Sequence, residues 1–378
     1  MHMLRLLTLG LTVAFLTALS SGGLATNAGL LFVSSERTDS VVIVDVEDKR
    51  IVKYLKTSRR PRDMHFNADH TYLYVACADD DAIDIIDVAK LEVVGRLHTA
   101  SKPRAFAISE KQRRIYVPNA EGSSLSVIDM DQDVILEDVP TGGGPEEVFL
   151  SEDGHFAYVA SAAGDLIHFV DVDTGFVVQN VAVGTRPRRF AATPDGKELW
   201  VSSELSGEVH IIDLEKFTIA GKIEFLPTGV QKIDATPVDL VITRDGKTAY
   251  VTLNHAASVA IVDVQTRKVQ GYIPVGLRSS GLAMAPDEYT LYVADSFGGA
   301  IHVVDVKDRK VTGSIPLDRT PSGVVIDSSP GRWTGIRRLL HHLLRTRVPD
   351  LVATTMKRLK DYSSAEIAAA RTSVAVRE

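Results

Sequence analysis

The stretch LYVACADDDAIDIIDVAKLEVVGRL, Leu73 to Leu97, decides the fold because the chain repeats it. The next copy reads IYVPNAEGSSLSVIDMDQDVILEDV, Ile115 to Val139. Each copy joins a short apolar run, a polar turn, an alternating apolar run that ends in Asp, a second turn and a third apolar run. This order is typical of short β-strands connected by hairpins.

Two anchors follow this repeat through seven copies. A valine in the first apolar run and the aspartate that ends the second run both recur at steps of 42, 42, 42, 42, 50 and 42 residues. The step of 50 marks an insertion near FLPTGVQKIDATP, Phe225 to Pro237. A period in the low forties with about four strands per copy predicts a β-propeller. The aspartates are Asp45, Asp87, Asp129, Asp171, Asp213, Asp263 and Asp305.

The two ends of the repeat predict how the ring closes. The chain enters at a first-type strand, Leu30 to Val33, and leaves at a fourth-type strand, Gly323 to Asp327. The last strand therefore completes the first blade as its innermost strand, and this closure hides the open sheet edges. We predict an all-β, seven-bladed β-propeller closed by pairing of its N- and C-terminal strands, with a C-terminal helical tail.

Segments outside the repeat define the other parts of the chain. Arg5, the apolar run Leu6 to Leu19 and the small residues after it are typical of a secretory signal peptide, with an uncleaved anchor as the alternative. We expect a signal peptide at 1–28, the propeller at 29–329 and a basic amphipathic tail at 330–378. Cleavage of the signal peptide would leave the protein periplasmic or secreted.

The tail contains WTGIRRLLHHLLRTRV, Trp333 to Val348, which predicts an amphipathic helix. It has ten Lys or Arg against four Asp or Glu, whereas the propeller region carries a net charge of −14. The helix could dock on the acidic propeller, lie on an anionic membrane surface or bind a partner. The candidate interaction residues of its apolar stripe are Ile336, Leu340, Leu343 and Leu344.

Several tempting site residues have simpler structural interpretations. The seven aspartates each end a strand, where an Asp side chain caps its own turn. His168, His210 and His302 share one repeat position on different blades, too far apart to bind one metal ion. The acidic turn Ala78 to Asp84 lacks the spacing of a calcium loop, and Cys77 is expected to be a buried, inert thiol. We therefore predict no metal site and, since the histidines are scattered, no catalytic constellation.

The loops that lead into the innermost strands carry repeated cations, as in TSRRPRDM, TASKPRAF and VGTRPRRF. All seven loops should lie at the mouth of the central channel. Cations gathered there would repel one another, which favours an anionic ligand or an acidic partner. Alternatively, they point outward or pair with Asp63, Glu146 and Glu147. The candidate residues before the proline or its equivalent are Arg60, Lys102, Arg186 and Arg278; those after it are Arg62, Arg104, Arg188 and, breaking the series, Glu146.

The variants LYVAC, IYVPN, AYVAS, LWVSS, AYVTL and LYVAD resemble the YVTN-type β-propeller repeat over residues 29 to 327. The layout of Val170 to Leu214 and the inserted fifth copy resemble the periplasmic propellers associated with PQQ-dependent alcohol catabolism. This resemblance implies a periplasmic quinoprotein dehydrogenase or cytochrome as partner, and PQQ as a possible bound ligand. The chain does not resemble the dehydrogenase itself, which is larger, eight-bladed and rich in tryptophan.

These observations lead to one functional prediction and one alternative. We expect a non-catalytic accessory binding or scaffold protein of a PQQ-dependent dehydrogenase system, with a basic channel mouth for an anionic ligand or an acidic partner. The alternative is a lactonase-like hydrolase, since seven-bladed propellers also support that chemistry. No histidine occurs in the mouth loops to serve such an enzyme. Nucleic-acid binding is disfavoured by the acidic propeller.

Overall fold

The computed structural model describes residues 29–317 and 320–327. The predicted signal peptide, and the tail with Ile336, Leu340, Leu343 and Leu344, lie outside these residues. The first fourteen strands are β1 (Leu30–Ser35), β2 (Ser40–Asp45), β3 (Arg50–Lys56), β4 (Pro61–Phe66), β5 (Tyr72–Cys77), β6 (Ala82–Asp87), β7 (Glu92–His98), β8 (Ala107–Ser109), β9 (Arg114–Asn119), β10 (Ser124–Asp129), β11 (Val134–Pro140), β12 (Pro145–Leu150), β13 (Phe156–Ser161) and β14 (Leu166–Asp171).

The second half of the described chain continues the same pattern, with a short 3-10 helix at Glu204–Ser206 and a single helical turn, α1 (Lys232–Ala235), in the predicted insertion. Its strands are β15 (Phe176–Ala182), β16 (Pro187–Ala192), β17 (Glu198–Ser203), β18 (Glu208–Asp213), β19 (Thr218–Glu224), β20 (Pro237–Ile242), β21 (Thr248–Leu253), β22 (Ser258–Asp263), β23 (Lys268–Pro274), β24 (Ser279–Met284), β25 (Thr290–Asp295), β26 (Ala300–Asp305), β27 (Lys310–Pro316) and β28 (Pro321–Asp327).

These strands form seven four-stranded antiparallel sheets, which are the predicted blades. From the channel outward, blade 1 is β28, β1, β2 and β3, and each later blade takes the next four strands of the chain. β28 pairs with β1 so that Asp327 lies opposite Leu30 and Val325 opposite Phe32. The seven-bladed fold and its closure are therefore confirmed.

The core lies between neighbouring blades, because the two central strands of each sheet are apolar on both faces. All six residues of β1 and all six of β2 are buried, whereas β11 in an outermost position is mostly exposed. Leu31 and Val44 of blade 1, for example, pack in one cluster with Tyr292 and Ile301 of blade 7. The apolar runs of the sequence thus form the packing contacts between neighbouring blades that stabilise the ring.

The repeated aspartates cap turns, as predicted. The Oδ1 atom of Asp213 accepts hydrogen bonds from the backbone N–H groups of Glu215 and Lys216, at 3.0 and 2.9 Å. All seven make this contact with one or both of the residues two and three positions later. These carboxylates satisfy backbone donors where the strand ends, so they stabilise the fold.

A bulge at the start of the innermost strands shapes the channel. In blade 2, Pro61 pairs with Cys77 while Met64 pairs with Val75, so the inner strand has one extra residue. Blades 5, 6 and 7 show the same shift. The bulge interrupts the strict alternation of a strand, and consecutive residues such as Arg62 and Asp63 both line the channel.

Candidate ligand site in the central channel

The innermost strands of all seven blades enclose a cavity of about 480 Å³ on the axis of the ring. A volume of this size suits a small organic ligand. Its polar wall contains Arg62, Asp63, His65, Glu147, Arg188, Arg189 and Asp239, and its apolar wall contains Met64, Phe66, Phe106, Ile108, Phe149 and Phe190 among others.

Five of the predicted cations pair with three glutamates at the mouth in two neighbouring groups, which together we call the mouth layer. Glu146 accepts one hydrogen bond from Arg104 and one from Arg188, both at 2.6 Å. Five arginines against three glutamates leave a net charge of +2, or +1 when the more exposed Asp79 beside Arg60 is included. The mouth layer consists of Arg60, Arg62, Arg104, Arg186, Arg188, Glu36, Glu146 and Glu204.

Burial and, to a smaller extent, repulsion by neighbouring arginines both act on Arg62, whose side chain is 17% exposed. Burial and the nearby guanidinium groups of Arg188 and Arg104 lower the pKa of Arg62 to about 10, although Glu36 acts in the opposite direction. The group stays protonated at neutral pH. A bound anion would relieve this repulsion.

Carboxylates of the preceding blade hold the mouth loops in place. The backbone N–H of Arg60 donates to Asp39, and that of Arg186 donates to Asp165, at 3.0 and 2.9 Å. Asp81 accepts the equivalent bond from Lys102. Each donor residue has a positive φ between 53° and 60°, an uncommon conformation for a residue other than glycine, so these hydrogen bonds help to hold the turn that aims the arginines.

Two of the predicted cations, and two of the carboxylates expected to pair with them, do not belong to the mouth layer. Lys102 pairs with Glu121, and Arg278 donates to the side chain of Asn254 at 2.7 Å. Glu146 does pair with the arginines, as the alternative interpretation allowed. Asp63 and Glu147, however, contact other groups deeper in the channel.

That deeper set, which we call the inner layer, consists of Asp63, Glu147, Arg189 and Asp239, one residue further along the innermost strands. The Arg189 guanidinium contacts Glu147 and lies 3.4 Å from Asp63. Asp239 accepts a hydrogen bond from the backbone N–H of Leu282 in the next blade at 3.0 Å. With its three carboxylates ionised, the inner layer has a net charge of −2, or −1 when the neighbouring His65 is protonated.

Burial makes this excess negative charge unfavourable. Burial and the Asp63 carboxylate raise the pKa of Glu147 to about 7, even though Arg189 acts in the opposite direction. Burial also raises the pKa of Asp239 above its usual range. The inner layer would therefore be stabilised by a proton or by a further cation.

His65 lines the same channel, and sequence analysis missed it. Its Nε2 atom lies 2.8 Å from Asp63 Oδ2, and its side chain is 47% exposed. Enclosure within the channel opposes a charge on the ring, but the Asp63 carboxylate outweighs this effect and raises the pKa of His65. The prediction that the histidines are scattered overlooked that His65 lies two residues after Asp63 on an innermost strand. Comparing the innermost strands position by position would have provided the signal.

The other histidines at a shared repeat position have structural contacts. His168 Nε2 accepts a hydrogen bond from the backbone N–H of Gly142, and His210 lies 3.3 Å from that of Gly184. In the described part of the chain no group of His, Cys, Asp and Glu side chains could hold a metal ion. Cys77 is buried, and burial raises the pKa of its thiol. Within the same residues, no helix is long and apolar enough to cross a membrane.

Comparison with known proteins agrees with this architecture. The YNCE-like beta-propeller model matches residues 13–192, and the model described as lactonase, 7-bladed beta-propeller, matches residues 147–317. A search of curated proteins finds no significant match. The predicted resemblance to PQQ-associated propellers stays a prediction.

Several solved structures share the fold at low identity. Hydrazine synthase of Kuenenia stuttgartiensis is 20% identical, with a TM-score of 0.66 over 73% of this chain and 92% of that one. Periplasmic gluconolactonase PpgL of Pseudomonas aeruginosa is 17% identical, with a TM-score of 0.67 over 80% and 99%. Dihydro-heme d1 dehydrogenase NirN, in complex with DHE, is 15% identical, with a TM-score of 0.59 over 79% and 75%. The chain is thus a seven-bladed β-propeller with sequence similarity to the YNCE-like and lactonase-type propeller families.

Proposed function

We propose that the protein binds a small carboxylate-bearing molecule at the mouth of its central channel, and that this binding is its role as an accessory protein. The observation that carries the proposal is the excess of guanidinium groups in the mouth layer. Charge-assisted hydrogen bonds from several arginines to one anion contribute about 1.5 to 3 kcal/mol each when well formed. Arg62 and Arg188 line the cavity directly and are the main candidate donors.

We further propose that the protein is exported and works beside a periplasmic PQQ-dependent dehydrogenase or its cytochrome, with PQQ as a candidate ligand. The resemblance of its repeats to PQQ-associated propellers supports this proposal. PQQ is a multiply charged carboxylate, and the positive mouth layer suits such a group. An acidic surface of the partner protein would suit the same arginines.

Calorimetric titration of the full chain with PQQ tests the binding role. We expect the double variant Arg62→Gln/Arg188→Gln to bind at least tenfold more weakly than the parent, and parental affinity to fall with added salt. Arg113→Gln is the matched control, since Arg113 pairs with the exposed Asp131 on the opposite face. Equal affinities of the parent and the double variant, or no binding by the parent, would refute the mouth as the PQQ site.

Lactone hydrolysis is the second candidate, and the contact between His65 and Asp63 is the observation that favours it. Asp63 holds Nε2 of the imidazole, so Nδ1 is the atom that would accept a proton from water. The Arg189 guanidinium could donate hydrogen bonds to the oxygen on which negative charge develops. The water would attack the carbonyl carbon, and the ring oxygen would leave with a proton as the lactone opens.

Acid release from glucono-δ-lactone, measured above the spontaneous rate, tests this second candidate. We expect His65→Asn to lower the enzymatic rate at least a hundredfold and His155→Asn, on the opposite face, to leave it unchanged. Hydrolysis no faster than the background, or full activity in His65→Asn, would exclude this activity for the tested lactone.

A further inference from the structure

The charges that line the channel are separated along its axis. The mouth layer carries an excess of positive charge, and the inner layer carries three carboxylates against one guanidinium. Consecutive residues, such as Arg62 and Asp63, contribute to the two layers. One strand residue corresponds to a rise of about 3.3 Å, so the two layers are close enough to act on one small molecule.

An apolar wall completes the cavity next to the inner layer. Phe66, Phe149 and Phe190 are partly exposed to it, and they follow the inner-layer positions on β4, β12 and β16. Phe106 packs edge-on against His65 at 5.0 Å between ring centres, and Phe149 lies 6.4 Å from Phe190. Phe106 itself is fully buried, and the partly exposed rings of Phe66, Phe149 and Phe190 offer a surface for an aliphatic or aromatic group.

From this arrangement, and resting on the proposed function, we propose that the channel ligand is an amino carboxylate with an apolar or aromatic side chain. Its carboxylate lies at the mouth layer, its ammonium group at the inner layer and its side chain against the phenylalanines. Both charged groups of such a molecule would meet opposite charge. A plain carboxylate would satisfy only the mouth layer.

The inner layer also limits what can enter. A ligand with several carboxylates would place one of them beside Asp63, Glu147 and Asp239, where like charges at short distance repel strongly in a partly buried site. Such a ligand is confined to the mouth. An ammonium group supplies the cation that this excess of carboxylates lacks.

The proposal also predicts how pH acts. Glu147 faces Arg189, Asp63 and His65, and its pKa is raised to about 7 by burial. Lowering the pH from 8 to 6 protonates Glu147, and His65, whose pKa is also raised, gains positive charge. Both changes reduce the negative charge of the inner layer. The preference for an ammonium group should therefore weaken in acid.

Three matched probes test the proposal: phenylalanine, 3-phenylpropionate, which lacks the ammonium group, and phenethylamine, which lacks the carboxylate. Calorimetry at pH 8 on the full chain should show phenylalanine binding at least tenfold more tightly than either other probe. At pH 6 its advantage over 3-phenylpropionate should fall at least threefold. Equal affinity for phenylalanine and 3-phenylpropionate at pH 8 would overturn the amino carboxylate proposal but leave carboxylate binding intact.

Asp239→Asn is the most direct variant, because its side-chain oxygen can still accept the hydrogen bond from Leu282, although its NH2 group replaces the oxygen that accepts from the backbone N–H of Leu240. We expect it to lose at least fivefold in affinity for phenylalanine and to keep its affinity for 3-phenylpropionate. Asp131→Asn, on the opposite face, should change neither. An equal loss for both probes would overturn the proposal. Failure of all three probes with the parent would overturn it as well, while PQQ binding would still decide the proposed function separately.

Discussion

The turn aspartates and the channel residues both stand at repeated positions of the seven blades. The turn position has the same residue in every blade, whereas the channel position does not. The turn position is Asp in all seven blades, and every one of these side chains caps its own backbone. The position after the proline or its equivalent differs from blade to blade: Arg62, Arg104, Glu146, Arg188, Val238, Ser280 and Ser322. In this ring, the uniform position serves the fold, and charged residues at the varied position line the cavity for which we propose a ligand.

The next position on the innermost strands varies even more, and its charges lie in blades 2, 4, 5 and 6. Blades 7 and 1 have Gly281 and Gly323 there. A Cβ atom on Gly281 would lie 2.5 Å from the Ser322 carbonyl oxygen, and one on Gly323 would lie 2.6 Å from that of Arg62. Close backbone approach therefore requires glycine on one side of the channel, and the charged side chains occupy the other.

Removal of β28 should have the largest effect on stability, since it disrupts the fold itself rather than the channel residues. A chain that ends before Pro321 leaves the inner edge of β1 unpaired and blade 1 with three strands. We expect it to lose cooperative thermal unfolding, monitored by circular dichroism. A chain that ends after residue 328 retains β28 and is the control. Cooperative melting of the shorter chain at the control's temperature would show that closure is dispensable.

Glu147 of the inner layer should make the folded protein less stable as the pH rises, which is the opposite of the usual effect of a carboxylate. The folded protein holds the Glu147 proton more tightly than an ordinary glutamate with a pKa of 4.5, so its stabilising effect is complete below pH 4.5 and disappears as the pH rises through about 7. The free energy of unfolding of the parent relative to Glu147→Gln should fall by at most about 3 kcal/mol between pH 4.5 and 8. Urea titrations of both proteins at several pH values measure this difference in the free energy of unfolding. A difference that does not change with pH would contradict the prediction.

A turn aspartate should affect stability alone. Asp213→Ala removes an acceptor of two backbone hydrogen bonds, and we expect a lower free energy of unfolding and a lower Tm than in the parent. Affinity for channel ligands should stay within twofold, because Asp213 lies on the face opposite the mouth. Lys216→Ala, which removes only the paired cation, serves as control. A large loss of ligand affinity in Asp213→Ala would contradict the assignment of the turn position to the fold and of the channel position to ligand binding.

The smallest expected change is a gain in affinity. Glu146→Gln removes the carboxylate that holds Arg104 and Arg188, so the net charge of the mouth layer becomes more positive by one. We expect PQQ to bind about threefold more tightly at low salt, by the same electrostatic attraction. Glu121→Gln, at the exposed edge of the mouth, should have less effect. Weaker binding in Glu146→Gln would show that Glu146 positions the arginines rather than competing with the ligand.

The sequence alone determined the number of blades, the closure by the last strand and the capping role of the aspartates. These features depend on local pattern: strand alternation, turn chemistry and a repeat whose two anchors move in step. It also indicated that arginines after Pro61, Pro103 and Pro187 share one place in the ring. In a repeat protein, equivalent positions of different blades can be aligned from the sequence without knowing any distances.

Only the tertiary structure decided which of these charges meet and what compensates them. Glu36 and Glu204 reach the mouth layer from loops between other strands, and Glu147 and Arg189 are 42 residues apart in the chain. The bulge that brings both Arg62 and Asp63 to the channel breaks the alternation on which sequence prediction relies. Contacts across the axis depend on ring curvature and side-chain reach, which are properties of the closed ring as a whole. For that physical reason the arginines of the mouth were predicted from the sequence, whereas the contacts of the inner layer and of His65 required the closed ring.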